Sequence, residues 1–410
     1  MIFTPDKVRP QFSALAQTIN HQPVLFLDGP GGSQVPNSVL IAMTDYLGYS
    51  NANLGGHFFS SQKTNLVMDN ARISCAALLN APSSDNIVFG ANMTSLTFQL
   101  SRAISRDWKK GDEIIVTALD HYSNVSSWKQ AAEDKGVIVH QVRVNTDDCT
   151  LDMEHFYSLL STKTKLVATT YASNTTGSLV DVQSIIRASH EIGAMVYVDA
   201  VHYAPHHLID VQRLDCDFLV CSAYKFFGPH VGIAYISPKY LQSLSPYKVE
   251  PATNIGPGRF ETGTQSFEGL AGVIAAIEYL AQWGAKEGSL RERLVSSFTQ
   301  YQQHELALTH YFLNKIERRP WISLFGINEP NNCGNRTPTF AIRLQGHTPE
   351  EVAKELGRNN VCVWSGHFYA LGLIRQLGLE EDGGVVRIGL MHYNTIDEID
   401  YLFSLLDALA

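Results

Sequence analysis

The sequence predicts an α/β protein whose sheet is mostly parallel, on three observations. Short β-branched or aromatic stretches alternate with helix-like stretches from about residue 64 onward. The strand-like stretches are bounded by polar turns, and alternation of this kind implies a parallel sheet covered by helices on both faces. The chain has 410 residues, 45% hydrophobic and 17% charged, a length and balance that support a large core without staples.

Each element has its own local signal. Thr64–Asn80 spaces apolar residues three and four apart, which predicts a helix. Ile87–Phe89 is a short apolar strand and Leu96–Ile104 is helical again. The turn Lys110-Gly111-Asp112 leads into a strand at Glu113–Val116, and Val137–Val144 is the next. Leu166–Thr170, Met195–Asp199, Phe218–Cys221 and Gly232–Ile236 follow as strands, with a helix at Val182–Ile192. The pattern changes near residue 285. Leu290–Asn314 reads as one long helix, then a strand at Thr339–Arg343, a helix at Pro349–Glu355, strands at Val361–Trp364 and Val385–Gly389, and a final helix at Ile396–Leu409. This divides the chain into a large domain, 21–285, and a smaller α/β domain, 286–410. Residues 1–20 are expected to pack on the small domain or on the seam.

Composition narrows the function. The net charge is −9 with no basic block, which disfavours a partner with a phosphate backbone, so no nucleic acid is expected. No window approaches the roughly 18 consecutive apolar residues of a membrane span. The first residues lack a basic head followed by an apolar run, so no signal peptide is expected. Six cysteines without C-x-x-C spacing read as reduced thiols of a cytoplasmic protein. There is no Walker A loop, no G-x-G-x-x-G after a strand, no H-E-x-x-H and no G-x-S-x-G. His202, His206 and His207 cluster, but their spacing crosses a proline, and no metal site is expected.

The informative stretch is the strand ending in Ser222-Ala-Tyr-Lys225, closed by Gly228-Pro229. A lysine at the carboxyl end of a buried strand loses solvation, which lowers its pKa and suits Schiff-base chemistry; the plain alternative is a surface lysine in a loop. A second apolar strand ends in Asp199, 26 residues earlier, and adjacent parallel strands would bring both groups to one edge of the sheet. Alone, Asp199 could equally cap a helix. Together, a Schiff-base lysine and an acid facing a pyridinium nitrogen are the signature of a pyridoxal phosphate site.

On these residues the chain resembles the class V aminotransferases, fold type I pyridoxal-phosphate enzymes, and within them the cysteine desulfurase and selenocysteine lyase branch, from about residue 25 to 405. The resemblance implies a large domain with a seven-stranded, mostly parallel sheet, a small C-terminal domain, and a homodimer with shared active sites. It makes Lys225 the Schiff-base lysine and Asp199 the pyridinium partner. His202 falls at a contact to the cofactor's phenolic oxygen. Asp120-His121-Tyr-Ser-Asn124 is similar to an E-H-x-x-N stretch whose histidine stacks on the cofactor ring. Ala91 and Asn92 fall in the loop that opens a phosphate-holding helix, which backbone N–H groups make chemically sensible. Asn174 matches an asparagine over cofactor and substrate. Ser222 and Tyr224 fall at phosphate-binding positions. Thr264, in Arg259-Phe-Glu-Thr-Gly263-Thr264, would reach the phosphate of the other subunit. Arg387 matches the arginine that binds the substrate carboxylate, a task suited to its planar fork. Asn53 and His57 resemble the lining of the substrate mouth, and Gly29-Pro-Gly-Gly32 resembles a stretch at its border.

One departure bears on the reaction. Desulfurases carry a thiol nucleophile in a stretch resembling R-T-G-H-H-C-A. Here the stretch is Trp364-Ser-Gly-His-Phe-Tyr369-Ala370, with Tyr369 in the cysteine's place and Trp364 in the arginine's. Cys362 lies within an apolar run that favours an inert thiol. The resemblance therefore implies a pyridoxal-phosphate enzyme acting on a small L-amino acid, by C–S or C–Se lysis or β-elimination without a persulfide cysteine. Aminotransferase and epimerase chemistry, or a catalytically weak regulatory relative, stand as alternatives. In each reaction Lys225 is the base for the Cα proton, and Tyr369 is either a general acid or a wall of the substrate site.

Overall fold

The computed structural model describes residues 3–410. The chain builds two sheets of unequal size. The larger has seven strands in the order Ile87–Gly90, Gly232–Ile236, Phe218–Ser222, Met195–Asp199, Thr164–Thr170, Glu113–Thr117, Ile138–Val142. Only Gly232–Ile236 runs antiparallel to its neighbours. The fold is thus α/β with a mostly parallel seven-stranded sheet, as the alternation predicts. Its central strands are buried on both faces, which explains why they read as unbroken apolar runs rather than alternating ones.

The smaller sheet has four strands, Ile322–Phe325, Thr339–Leu344, Val385–Gly389 and Trp364–Gly366. The expected single strand Val361–Trp364 is two. Val361–Cys362 pairs in parallel with Leu25–Phe26, while Trp364–Gly366 pairs antiparallel with Val385–Gly389. Apolar residues cannot reveal this, because both halves are apolar and the chain changes partner between them. The strand expected over Val137–Val144 is confined to Ile138–Val142.

Side-chain caps fix several helix starts. Asn92 Oδ1 accepts the Ser95 N–H at 2.9 Å and opens the helix Met93–Ile104. Ser289 with Glu292 forms a capping box at the head of Leu290–Glu317, and Thr395 with Glu398 does the same for Ile396–Asp407. The helix Phe267–Leu280 shows no clear polar face in the sequence because it is buried along most of its length.

Leu25 and Leu27 share a core with Leu308, Phe312, Ile342 and Phe403, so this part of the chain packs with the C-terminal sheet. Phe3, Val8, Phe12 and Leu15 join the core of the large sheet. Arg9 links that segment to the C-terminal part by a 2.8 Å pair with Glu398 and a bond to the Tyr393 carbonyl. No helix among the described residues is long and apolar enough to cross a membrane.

Candidate active site

The carboxyl ends of the parallel strands meet the small sheet at a cavity of about 310 Å³. Ligands bind at that edge of open α/β sheets because strand ends and helix starts converge there. The pairing of Met195–Asp199 with Phe218–Ser222 sets Asp199 opposite Val220, so Asp199 and Ser222 emerge side by side and Lys225 follows in a single helical turn. Asp199, Ser222, Tyr224 and Lys225 all line the cavity.

Lys225 is enclosed, and its Nζ donates to the Pro30 carbonyl. Burial, reinforced by the Arg387 charge, pulls its amine down from 10.5 to about 7, while Asp199 and Asp28 oppose the fall. Asp199 is 4% exposed and its Oδ1 accepts the Val201 N–H at 2.9 Å. Burial raises its carboxyl to about 6 despite that bond and the nearby lysine.

His121 stands after the strand Glu113–Thr117. Behind it, Asp120 is fully buried and accepts from Thr117 Oγ1 and from Asn124 Nδ2, the latter at 2.7 Å; Trp128 Nε1 donates to Asn124 Oδ1 at 2.9 Å. This is why the Asp-His-x-x-Asn spacing matters: it roots the turn that aims the imidazole. The Ser123 backbone N–H donates to His121 Nδ1 at 3.1 Å, which places the ring proton on Nε2. Burial lowers the ring's pKa to about 4, so the imidazole is neutral at physiological pH. Its face meets the Tyr369 ring at 5.2 Å.

The helix Met93–Ile104 opens against the cavity, with Asn92, Met93 and Thr94 in the lining. The Met93 N–H donates to Ser222 Oγ at 3.0 Å, which ties the helix start to the strand end. Gly232 lets the two elements touch, since a Cβ there would sit 2.4 Å from the Asn92 carbonyl carbon. A helix start of this kind attracts an anion.

Asn174 and Arg387 close the other side. Arg387 NH1 donates to the Asn174 carbonyl at 2.9 Å, and its guanidinium lies 4.1 Å from the centre of the Phe368 ring. Asn174 Nδ2 donates to the Phe368 carbonyl at 2.9 Å, yet its Oδ1 is buried without a partner among the described residues. A buried acceptor left open inside a cavity fits a site shaped for a polar ligand. His202 lines the cavity and turns Nε2 to the Thr337 and Thr339 hydroxyls, at 3.1 and 3.0 Å. Its neighbour His206 is occupied by Glu305 at 3.0 Å.

The cavity thus gathers Asn92, His121, Asn174, Asp199, His202, Ser222, Tyr224, Lys225, Tyr369 and Arg387. Ala91, Asn53, His57 and Thr264 stand exposed outside its lining. The Asn53–His57 turn is engaged with its own following helix: Gly56 N–H donates to Ser61 Oγ at 2.7 Å, and Ser61 Oγ donates to the Asn53 carbonyl at 2.6 Å. Sequence reading missed Thr94, Ser123, Thr170 and Phe368. Only the N-terminal helical position of Thr94 offered a local signal. Cys362 also lies outside the cavity lining.

The residues present fit pyridoxal phosphate: an amine held near neutrality, an acid beside it, a neutral imidazole, an anion-attracting helix start and an open buried acceptor. The comparisons agree. A family model, "Aminotransferase class-V", matches residues 25–402. The chain is 31% identical to a cysteine desulfurase of Escherichia coli O9:H4 (strain HS), with 98% of each chain covered, and 31% identical to one of Enterobacter sp. (strain 638) over the same shares. A solved cysteine desulfurase of Escherichia coli superposes with a TM-score of 0.86 at 25% identity, covering 100% of this chain and 98% of that one. A cysteine desulfurase structure from Thermococcus onnurineus NA1, 24% identical and covering 100% and 99% of the two chains, gives 0.89 and shows the same fold. The chain is a pyridoxal-phosphate-dependent enzyme and belongs to the aminotransferase class-V family.

Proposed function

We propose that the enzyme is a lyase that breaks a C–S or C–Se bond of a small L-amino acid by β-elimination, without a persulfide cysteine. The observation that carries this reading is Tyr369, which lines the cavity in the stretch where a desulfurase-like nucleophile would stand, while Cys362 lies outside the lining. Burial also raises the Cys362 thiol, which disfavours the thiolate a nucleophile needs.

Bound pyridoxal phosphate supplies an electron sink for the pair left at the substrate's Cα. Asp199 would hold the pyridine nitrogen, His121 would lie on the ring face, and the helix start with Asn92, Ser222 and Tyr224 would hold the phosphate. His202 and Asn174 would face the ring oxygen. Arg387 keeps guanidinium N–H groups beyond the one spent on Asn174, and these bind the substrate carboxylate. Lys225, held to about 7, is partly neutral at physiological pH and takes the Cα proton.

The reading includes a homodimer with shared sites. Asn53, His57 and Thr264 are exposed here, and Leu40, Ile41, Leu47, Tyr49, Phe58 and Phe59 expose apolar surface on the nearby helices and turn. A patch of this kind supports an interface with a second copy. The division into residues 1–20, 21–285 and 286–410 belongs to the same reading; the two sheets support a large and a small unit, while Leu25 and Leu27 pack with the small sheet's core and Leu294, Phe298 and Tyr301 with the large sheet's. Six free thiols fit a reducing compartment such as the cytoplasm.

The test is a screen of L-amino acids and their S-substituted derivatives, followed by the visible band of the holoenzyme and by pyruvate and ammonium release. Turnover that disappears in Lys225→Ala supports the reading. Strong sulfide release from free cysteine that vanishes in Cys362→Ala would refute the persulfide-free route.

A further inference from the structure

The segment that crosses the cavity mouth is aromatic and fastened at both sides. Asn174 Nδ2 holds the Phe368 carbonyl at 2.9 Å and the Tyr122 N–H holds the Tyr369 carbonyl at 2.8 Å. Phe368 and Tyr369 both adopt left-handed backbone, at φ 51° and 58°, a conformation two consecutive aromatic residues keep only when their surroundings impose it. The result is a definite placement of rings. Phe368 covers the Arg387 guanidinium, Tyr369 covers His121, and Trp364 lies over Gly31, where a Cβ would meet its Nε1 at 2.8 Å. Trp364 and Tyr369 line the cavity and yet remain 55% and 65% exposed.

We propose that Trp364, Phe368 and Tyr369 form a specificity rim that selects an amino acid carrying an apolar or aromatic group beyond its β-carbon. Resting on the elimination reading, this makes the substrate an S-alkyl or S-aryl cysteine rather than free cysteine. Two physical reasons converge. Exposed rings gain by being covered with apolar surface, and ring-on-ring contacts add to that gain; a bare thiol is too short and too polar to supply either. With no cysteine in the cavity lining, the sulfur has no protein acceptor, so it leaves with its own substituent. The substrate loses its Cα proton, the Cβ–S bond breaks with its electron pair going to sulfur, and a thiol R–SH departs. The three-carbon remainder takes up water to give pyruvate and ammonium, with no change that needs an oxidant or reductant.

The rim is tested on the holoenzyme with two unreactive carboxylates, 3-(benzylthio)propionate and 3-(methylthio)propionate, by titration calorimetry. The benzyl ligand is expected to bind about tenfold tighter. Tyr369→Ala and Trp364→Ala, both at exposed positions, are each expected to cut that preference to within about threefold. The same ordering is expected in kcat/KM for S-benzyl-L-cysteine against S-methyl-L-cysteine, and the part of it owed to the rim, rather than to the more acidic benzyl thiol, is the part lost in both variants. Equal binding of the two ligands, or a preference unmoved by both variants, overturns the rim. A holoenzyme that prefers the benzyl ligand but releases no thiol from any S-substituted cysteine overturns the elimination reading and leaves the rim standing.

Discussion

Lys225 offers the sharpest test of how this fold uncharges a buried amine. Its amine falls from 10.5 to about 7, chiefly through burial. At about 1.36 kcal/mol for each tenfold change, that fall represents about 5 kcal/mol taken from the charged form. At pH 7 an ordinary lysine is neutral in roughly one molecule in 3,000, whereas Lys225 is neutral in about half, a gain of about 1,500-fold in free amine. The perturbation is Asp199→Asn. Asp199 raises the Lys225 pKa, so removing its charge moves the midpoint below 7; Arg387→Met, which removes a charge that lowers it, moves the midpoint up. The assay is a short pulse of trinitrobenzenesulfonate on the cofactor-free protein at graded pH, with labelling at Lys225 counted by mass spectrometry of its peptide. A midpoint above 9 in the unaltered protein, or an upward move in Asp199→Asn, would refute the argument that burial outweighs the carboxylates.

Three further outcomes follow from the geometry. Burial holds the Asp199 carboxyl of the cofactor-free protein up to about 6, so its charge is present above that pH and lost as pH falls through it; uptake of pyridoxal phosphate by the cofactor-free protein is expected to weaken below about pH 6, read by cofactor titration at graded pH. Gly232→Ala drives a Cβ into the Asn92 backbone, 2.4 Å from its carbonyl carbon, and is expected to cost about 1–3 kcal/mol and to weaken cofactor binding, seen by thermal melting and by cofactor titration. Arg336 is 3% exposed and donates to the carbonyls of Ile327, Thr176 and Thr339; Arg336→Met strands them and is expected to cost about 3 kcal/mol in urea unfolding.

Much of the molecule is written locally. The buried strands Met195–Asp199, Gly232–Ile236 and Val385–Gly389 fall at the bounds their apolar runs give, because a strand covered on both faces has no polar position to blur its ends. The Asp199–Lys225 relation is legible for the same reason: successive parallel strands end at one edge, and chemistry gathers where they end. The Asp120-His121-x-x-Asn124 spacing is equally local, since it encodes one turn and the first turn of a helix.

Other features belong only to the folded chain. The change of partner between Val361–Cys362 and Trp364–Gly366 depends on which edge lies within reach, and the unbroken apolar run Val361–Trp364 gives no sign of it. The rim over Arg387 is set by left-handed backbone at Phe368 and Tyr369 and by hydrogen bonds to Asn174 and Tyr122, partners about 190 and 250 residues away, and no local preference would predict that conformation for two aromatic residues. The neutrality of His121 and the depressed amine of Lys225 likewise arise from desolvation, which depends on everything that surrounds a group and not on its neighbours in the chain. The sequence alone carried the alternation of strands and helices and pointed to Lys225 and Asp199, because both rest on short-range pattern and side-chain chemistry, while helices such as Asn37–Tyr49 and Phe267–Leu280 and the strand Ile322–Phe325 emerged only in the structure. The tertiary structure decided how those groups are charged and what walls them, because solvent exclusion and long-range hydrogen bonds exist only once the chain has closed on itself.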